Sequence, residues 1–357
     1  MGKYIIKRLG YGVLVLLGVL VVVFLLFNVL PGDPAKMMMG QRNDVASADA
    51  IKKDLGLDQP LFTQFMGYLN DVSPISVYQN NKESFFFYDT TKYNALTALN
   101  VGSSVVVFKS PYLRRSYQTK RNVTDILLEA FPQTALLTLV SIIFAIIVGI
   151  AIGILCALYK DSLFDKLSIV ISVFGMSLPS FFAAIVFAWI FAYLLGDLTG
   201  LNMFGSLYTV DDFGNGEYLD LKNLILPAFT LGIRPLAIVV ELTRSATLET
   251  LSQDYVRTAY AKGLSKFAVI WRHVIKNSLN PIVTAVSGWL ASLMAGAVFI
   301  EYIFDWKGVG IVIVNALEKY DFPVLMGALL FISVILVFIN IFVDVIYGLL
   351  DPKIRLS

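Results

Sequence analysis

Cysteine, histidine and charge are all scarce in this chain, and each scarcity removes a class of chemistry. The one cysteine, Cys156, lies inside an apolar run. A single thiol excludes a disulfide framework and a thiolate metal centre, and is expected simply to pack among helices. The one histidine, His273, excludes clusters of imidazole ligands within the chain. No HExxH, no GxSxG and no phosphate loop occurs; the one Gly-Lys pair, Gly2-Lys3, lacks the upstream glycine and the Ser/Thr. Charged residues make up 15% of the chain, against about 25% in soluble domains, so this is a membrane composition. Mean hydropathy of +0.74 agrees. A net charge of +2 is too small to suggest a nucleic-acid partner. Solenoid repeats and paired halves with matching broken helices are also missing, which goes against a common secondary-transporter plan.

What is present is a set of uncharged runs long enough for a bilayer, at about 20 residues per ~30 Å of hydrocarbon. They are Leu9–Leu30, Thr134–Tyr159, Leu167–Gly196, Pro281–Ile300 and Phe322–Val343, with Leu224–Thr243 as a sixth that carries Arg234 and Glu241. The first follows Lys3, Lys7 and Arg8; it is too long for a signal-peptide core and reads as a retained span. Pro179 is expected to bend or divide the third. The fold class expected is an all-α polytopic membrane protein of six transmembrane helices. Its domain map is a first helix over 1–30, a long outer loop over 31–133, a five-helix core over 134–348 and a tail over 349–357. The N-terminus, 160–166, 244–280 and the tail hold thirteen Lys and Arg; loops 197–223 and 301–321 hold three, with nine acids. The positive-inside rule therefore places both termini and the 244–280 segment in the cytoplasm.

In the outer loop, residues 49–69 have helical spacing. Residues 73–110 read as an aromatic, Asn/Ser-rich insert with a strand-like SSVVVFK. The second span repeats small residues every four positions, at Ala145, Gly149, Gly153 and Ala157, and the fifth has Gly288, Ser292 and Gly296. Such faces let helices approach closely, within one bundle or toward a partner subunit.

The segment from Ser252 to Asn280 is unusual for a loop between spans because it reads as folded. Ser252 is a candidate N-cap, Asp254 suits a first turn, Gly263 sits where a helix stops, and Ser265 can cap a second helix that Pro281 ends or hands to the next span. In that second helix Phe267, Ile270, Trp271, Val274, Ile275 and Leu279 are expected on one face, and Lys266, His273, Lys276 and Asn277 on the other. Intramembrane ionisable groups are functional candidates. Arg234 can face a polar pathway or pair with a neighbouring helix, and Glu241 can pair with Arg244 three residues on.

The wording of this segment resembles a family. YVRTAYAKGL and VIWRHVIKNSLN are similar to the peptide-type inner-membrane permeases of ABC importers, the B-type subunits of dipeptide and oligopeptide systems. The family signature, Glu-Ala-Ala followed after three residues by Gly, falls on Arg257, Thr258, Ala259 and Gly263, so its second Ala and its Gly are kept. LPGDPA at Leu30–Ala35, LGLDQPLFTQF, SLPSFF, LILPAFTLG, LTRSATLE, EYIFDWKGVG and LLDPKIR follow in the family's order. Lys307 stands where the family commonly has Pro. The resemblance implies a type-1 importer bundle in the bacterial cytoplasmic membrane, non-catalytic in itself, moving di- or oligopeptides. It implies a second homologous permease, two cytoplasmic ATPases carrying ATP and Mg, and an extracytoplasmic substrate-binding protein. It makes 252–280 the ATPase-coupling loop, with Tyr255 and Arg257 toward the motor, Ala259 and Gly263 shaping the first helix, and His273 and Asn277 orienting the second. No cofactor and no metal are expected on this chain. A nickel or glutathione importer is the nearest alternative, and an ion-coupled transporter using Arg234 and Glu241 the alternative from another class.

Overall fold

The computed structural model describes residues 2–29, 56, 58–81, 84–90, 92–93, 95–211 and 216–350. The segment Leu30–Ala35, the 49–55 part of the expected outer helix and the 351–357 end of the tail lie outside the described residues. In chain order come α1 (Gly2–Val29), α2 (Leu61–Val72), β1 (Ile75–Gln79), β2 (Ala95–Val101), β3 (Ser104–Lys109), α3 (Val123–Leu158), α4 (Leu163–Ser177) and α5 (Ser180–Phe187). α5 continues as a π-helix, Ala188–Leu194. There follow a short ribbon, β4 (Tyr208–Val210) with β5 (Glu217–Leu219), then α6 (Lys222–Leu251), α7 (Asp254–Ala261) and α8 (Lys266–Val269). A π turn over Ile270–Ile275 leads from α8 into α9 (Lys276–Phe304), before α10 (Val309–Glu318) and α11 (Phe322–Leu350).

Of these, α1, α3, α6 and α11 are each long and apolar enough to cross a membrane. α4 and α5 with its π extension pass only as a pair, bent by 113° at the break. The cause is local: Pro179 has no N–H to give the ladder, and Leu178 before it is extended, at φ −73° and ψ 129°. The expected bend is therefore found, and it is too sharp for one straight crossing. α9 has 29 residues, about 43 Å at 1.5 Å each, but its described apolar stretch is Ser292–Phe304. Among the described residues the expected six spans thus stand at four, or five if the bent pair is one.

The chain forms two compact units. In the one made of Ile6–Glu129 and Val312–Ile335, α2 packs on α1 through Phe24, which meets Phe65 edge-on at 5.1 Å and stacks on Tyr68 at 6.2 Å. The strands form an antiparallel sheet in the order β1-β3-β2, with SSVVVFK as its centre, as its alternation suggested. A two-residue turn joins β2 to β3, and Gly102 supplies the positive φ, +61°, that such a turn needs. One face of the sheet buries Tyr78, Val105 and Val107 with Tyr93, Tyr88 and Tyr112. The other leaves Ile75, Val77, Leu99, Val101 and Phe108 exposed. The outer border of β1 is occupied. Asn70 accepts from Val77 N at 2.9 Å and donates to Val77 O at 2.9 Å, while Gln79 exchanges backbone bonds with Phe86 and Tyr88.

Beneath the sheet the carboxylate of Asp71 accepts from Tyr93 Oη and from Arg114 Nε, both at 2.9 Å, and its backbone carbonyl accepts from Lys109 Nζ. Burial pushes the Lys109 ammonium down to about 8, against the opposing pull of the Asp71 charge. Asp321, just before α11, accepts from Ser116 Oγ at 2.5 Å and Tyr117 N at 3.0 Å.

The other unit comprises Ala130–Ile311 with the two chain ends. Here α3 and α6 meet at small residues. A Cβ placed on Gly149 would stand 2.8 Å from Val239 Cγ1, and one on Gly153 2.6 Å from Thr243 Cβ. The α3 small-residue face is therefore used within the chain. Gly288 on α9 has no neighbour within 4 Å of such a Cβ. At the end of α9 the EYIFDWKGVG segment folds back on Glu301 and against α3. Trp306 is buried and donates to Gln133 O at 3.0 Å, Val309 N donates to Thr134 Oγ1 at 2.8 Å, and Gly310 N to Glu301 Oε2 at 2.6 Å.

Candidate functional site

The 252–280 segment is a helix pair hung directly from α6. Only Ser252 and Gln253 separate Leu251 from α7, and backbone bonds Ser252 N to Glu249 O (3.2 Å) and Gln253 N to Thr250 O (3.1 Å) fix that turn. Ser252 does not cap α7. Its hydroxyl bonds back to Glu249 O at 2.7 Å, and Gln253 holds the N-cap position without a side-chain bond. α6 runs to Leu251, so the hydroxyl is spent on closing the longer helix.

The expected stop is where it was placed. Gly263 has φ +80°, and its N–H bonds to Tyr260 O at 2.9 Å. No atom lies within 4 Å of a Cβ there, so the glycine answers to backbone conformation and not to crowding. Ser265 accepts from Ala268 N at 3.3 Å and caps α8. Pro281 neither ends the helix nor marks a handover: it is the sixth residue of α9, which begins at Lys276.

The two helices seal on Val256, Ala259, Val269 and Val274, with Leu251 and Leu264 against them. Ala259 is buried, as its size suggested. The apolar face of the second helix differs from expectation. Val269 and Val274 turn inward, whereas Phe267 and Trp271 are 72% and 58% exposed, with their rings 6.0 Å apart. The π turn over Ile270–Ile275 accounts for the inward pair: with more residues to the turn it brings residues five apart, Val269 and Val274, toward one face, where a 3.6-residue period would not. Tyr255, Tyr260 and Arg257 are exposed as well, Arg257 lying 3.6 Å from Asp254. Asn277 Nδ2 donates to Tyr255 Oη at 3.2 Å, which ties one helix to the other, and to the backbone carbonyl of His273 at 2.7 Å within its own helix. The segment thus presents an aromatic and basic outer face on a closed apolar seam.

Arg244 does not pair with Glu241. Its guanidinium reaches across to α4 and grips Asp165 with both arms, Nε to Oδ1 at 2.6 Å and Nη2 to Oδ2 at 2.7 Å. Sequence patterns do not single out Asp165, because its partner lies 79 residues away. The local signal for it is only the Ser162 cap that starts α4, accepting from Asp165 N at 3.2 Å.

Arg234 and Glu241 both lie exposed on α6, seven residues and hence two turns apart. Neither makes an ion pair or hydrogen bond among the described residues. α6 is otherwise the most enclosed of the four spans, 67% of its apolar window being buried against 22%, 33% and 39% for the others. Its open stripe is polar, continuing through Ser245 and Glu249. An apolar cavity of about 430 Å³, lined by Phe144, Phe191, Leu224 and Phe229 among others, contains neither ionisable residue.

A family model described as the inner membrane component of binding-protein-dependent transport systems matches residues 149–356. The N-terminal model of the same kind matches residues 1–83. Among curated relatives, the di/tripeptide transport system permease protein DppB of Pseudomonas aeruginosa is 33% identical, covering 99% of this chain and 98% of its own length. The dipeptide transport system permease protein DppB of Alkalihalophilus pseudofirmus is 32% identical over 99% of both chains. The glutathione transport system permease protein GsiC of Escherichia coli is also 32% identical over 99% of both. Among solved structures, the inward-facing MetNI methionine ABC transporter matches 64% of this chain and 97% of its own with a TM-score of 0.49 at 14% identity.

Proposed function

Because the chain belongs to the family of binding-protein-dependent transport system inner membrane components, we propose that it is the permease subunit of an ATP-driven importer of short peptides. It is a multi-pass membrane subunit that works with separate ATPase and substrate-binding proteins, and in this reading the nucleotide chemistry belongs to those partners. Six spans place both termini and 252–280 in the cytoplasm and 31–133 outside, with α9 as the span that completes the count. A second, homologous permease shares the pathway, and two ATPases drive it.

The observation that carries the reading is the 252–280 helix pair, a rigid seam of Val256, Ala259, Val269 and Val274 with exposed Phe267, Trp271, Tyr255 and Arg257 on its outside. An amphipathic element of this kind suits a groove on a soluble motor. Tyr255 and Arg257 make the contact, Asn277, seated on the His273 carbonyl, holds Tyr255 in place, and Gly263 sets the angle between the helices. Arg234 and Glu241 line the pathway, where a charged stripe is hydrated and does not face lipid.

Gly263→Asp tests the coupling. Positive φ disfavours any side chain by about 1 kcal/mol or more, and a carboxylate adds charge at the motor contact. The variant should insert and assemble yet lose peptide-stimulated ATP hydrolysis in the reconstituted complex, with Gly263→Ala intermediate. Stimulated hydrolysis surviving in Gly263→Asp would refute the assignment. Transport assays with dipeptide, tripeptide and glutathione separate the substrate classes named for the relatives. An ion-coupled transporter would instead give flux from the purified chain alone, against the family assignment.

A further inference from the structure

Asp165 and Arg244 sit where two moving parts of such a machine would have to be joined. Asp165 is 1% exposed and Arg244 21%, and the fork-to-fork pair is completed by Asp161 N, which donates to Asp165 Oδ2 at 3.0 Å. One carboxylate therefore gathers the turn that ends α3, the capped start of α4 and the far half of α6. Bidentate geometry of this kind fixes angle as well as distance.

From Arg244, two turns of α6, about 10 Å, lead to Leu251, where the helix enters the closed 252–253 turn and α7 begins. Leu251 packs on the Val256–Ala259–Val269–Val274 seam, and Ser278 Oγ meets Thr250 Oγ1 at 3.4 Å. The helix pair cannot swing without carrying the end of α6, and the end of α6 cannot swing without pulling Asp165. Beyond Asp165, α4 leads to Pro179 and the 113° break between α4 and α5. The chain of contacts is continuous from the exposed face at Phe267 and Trp271 to that break.

We infer that the Asp165–Arg244 pair is the linkage that delivers displacement of the 252–280 element to α4 and the bent α4–α5 pair, so that motor closure reorients the bundle. Both residues are positioning residues; neither touches nucleotide or peptide. The inference rests on the transport reading above. A static staple of the same geometry would protect folding alone, whereas a linkage also sets how much transport each ATP yields.

The test uses the whole complex purified from membranes and reconstituted in vesicles, comparing wild type with Asp165→Asn, Arg244→Lys and the double variant Asp165→Asn/Arg244→Gln. The double variant removes both charges and leaves no buried ion unpaired, which keeps it foldable. Arg244→Lys keeps the charge and loses the fork. The readouts are assembled complex recovered per cell and peptide transported per ATP hydrolysed. Transport per ATP should fall about fivefold in assembled complex for all three, a size single residues impose on coupled networks. The double variant should be no worse than Asp165→Asn. An unchanged ratio in assembled complex overturns the inference, as does a loss confined to the amount of complex. If wild type itself shows no peptide-dependent ATP hydrolysis, the transport reading falls and this inference with it.

Discussion

A single side chain in this protein does most where it is buried with its charge. Lys109 lies under the sheet with its ammonium on the Asp71 carbonyl, and burial holds its folded pKa at about 8 against 10.5 for the free side chain. Between those values the unfolded chain binds more protons than the folded one, so stability rises with pH across about 8 to 10.5. The neighbouring tyrosines Tyr78 and Tyr93 have pKa values raised chiefly by burial, and they resist ionising while unfolded tyrosines ionise near 10, so stability turns down above that. Exchange protection of the Val105 and Val107 amides, corrected for intrinsic rate, should therefore peak between pH 9 and 10. Lys109→Met should abolish the rise from pH 8 while leaving the fall. At the same scale Gly263 and Ser265 were legible from sequence, because a helix stop and a cap are rules about adjacent residues. Asp165 was not, because nothing local distinguishes it and Glu241 offered Arg244 a nearer partner on paper. The helix carries Glu241 to an open stripe and turns Arg244 toward α4.

Among the elements, four of the six expected runs are found as helices long and apolar enough to cross, because a bilayer demands length and apolarity of each separately. Sequence also placed the break at Pro179 and strand β3. It did not foretell that the second helix of the 252–280 pair would contain a π turn, which brings Val269 and Val274 together in the seam. β1 and β2 were hidden as well, since their sequences alternate less cleanly than SSVVVFK. The small-residue faces separate into two kinds, and this yields a comparison. Gly153→Leu forces α3 away from Thr243 and the Val240 carbonyl, at the roughly 1–3 kcal/mol typical of overpacking or more. It should cut recovery of folded protein from membranes. Gly288→Leu enters open space on α9 and should leave the folded chain intact. If the second permease packs on that face, Gly288→Leu should instead reduce its co-purification.

For the whole molecule, the polar stripe on α6 is the feature that one chain leaves unfinished. Arg234 stands mid-span without a partner among the described residues, where facing lipid costs about 2.5 kcal/mol or more. Arg234→Gln should therefore not weaken insertion, and should lower the affinity for peptides with a free carboxylate more than for their amidated forms, read by competition in transport. Equal loss for both forms would remove Arg234 from the pathway. The sheet of the outer segment carries a different consequence. Asn70 and the Phe86–Tyr88 turn have stitched shut the border along β1, and among the described residues no strand pairs with the outer border of β2. Two copies meeting along β2 would use up that border on both at once, so that this sheet could take on one neighbour and then no more.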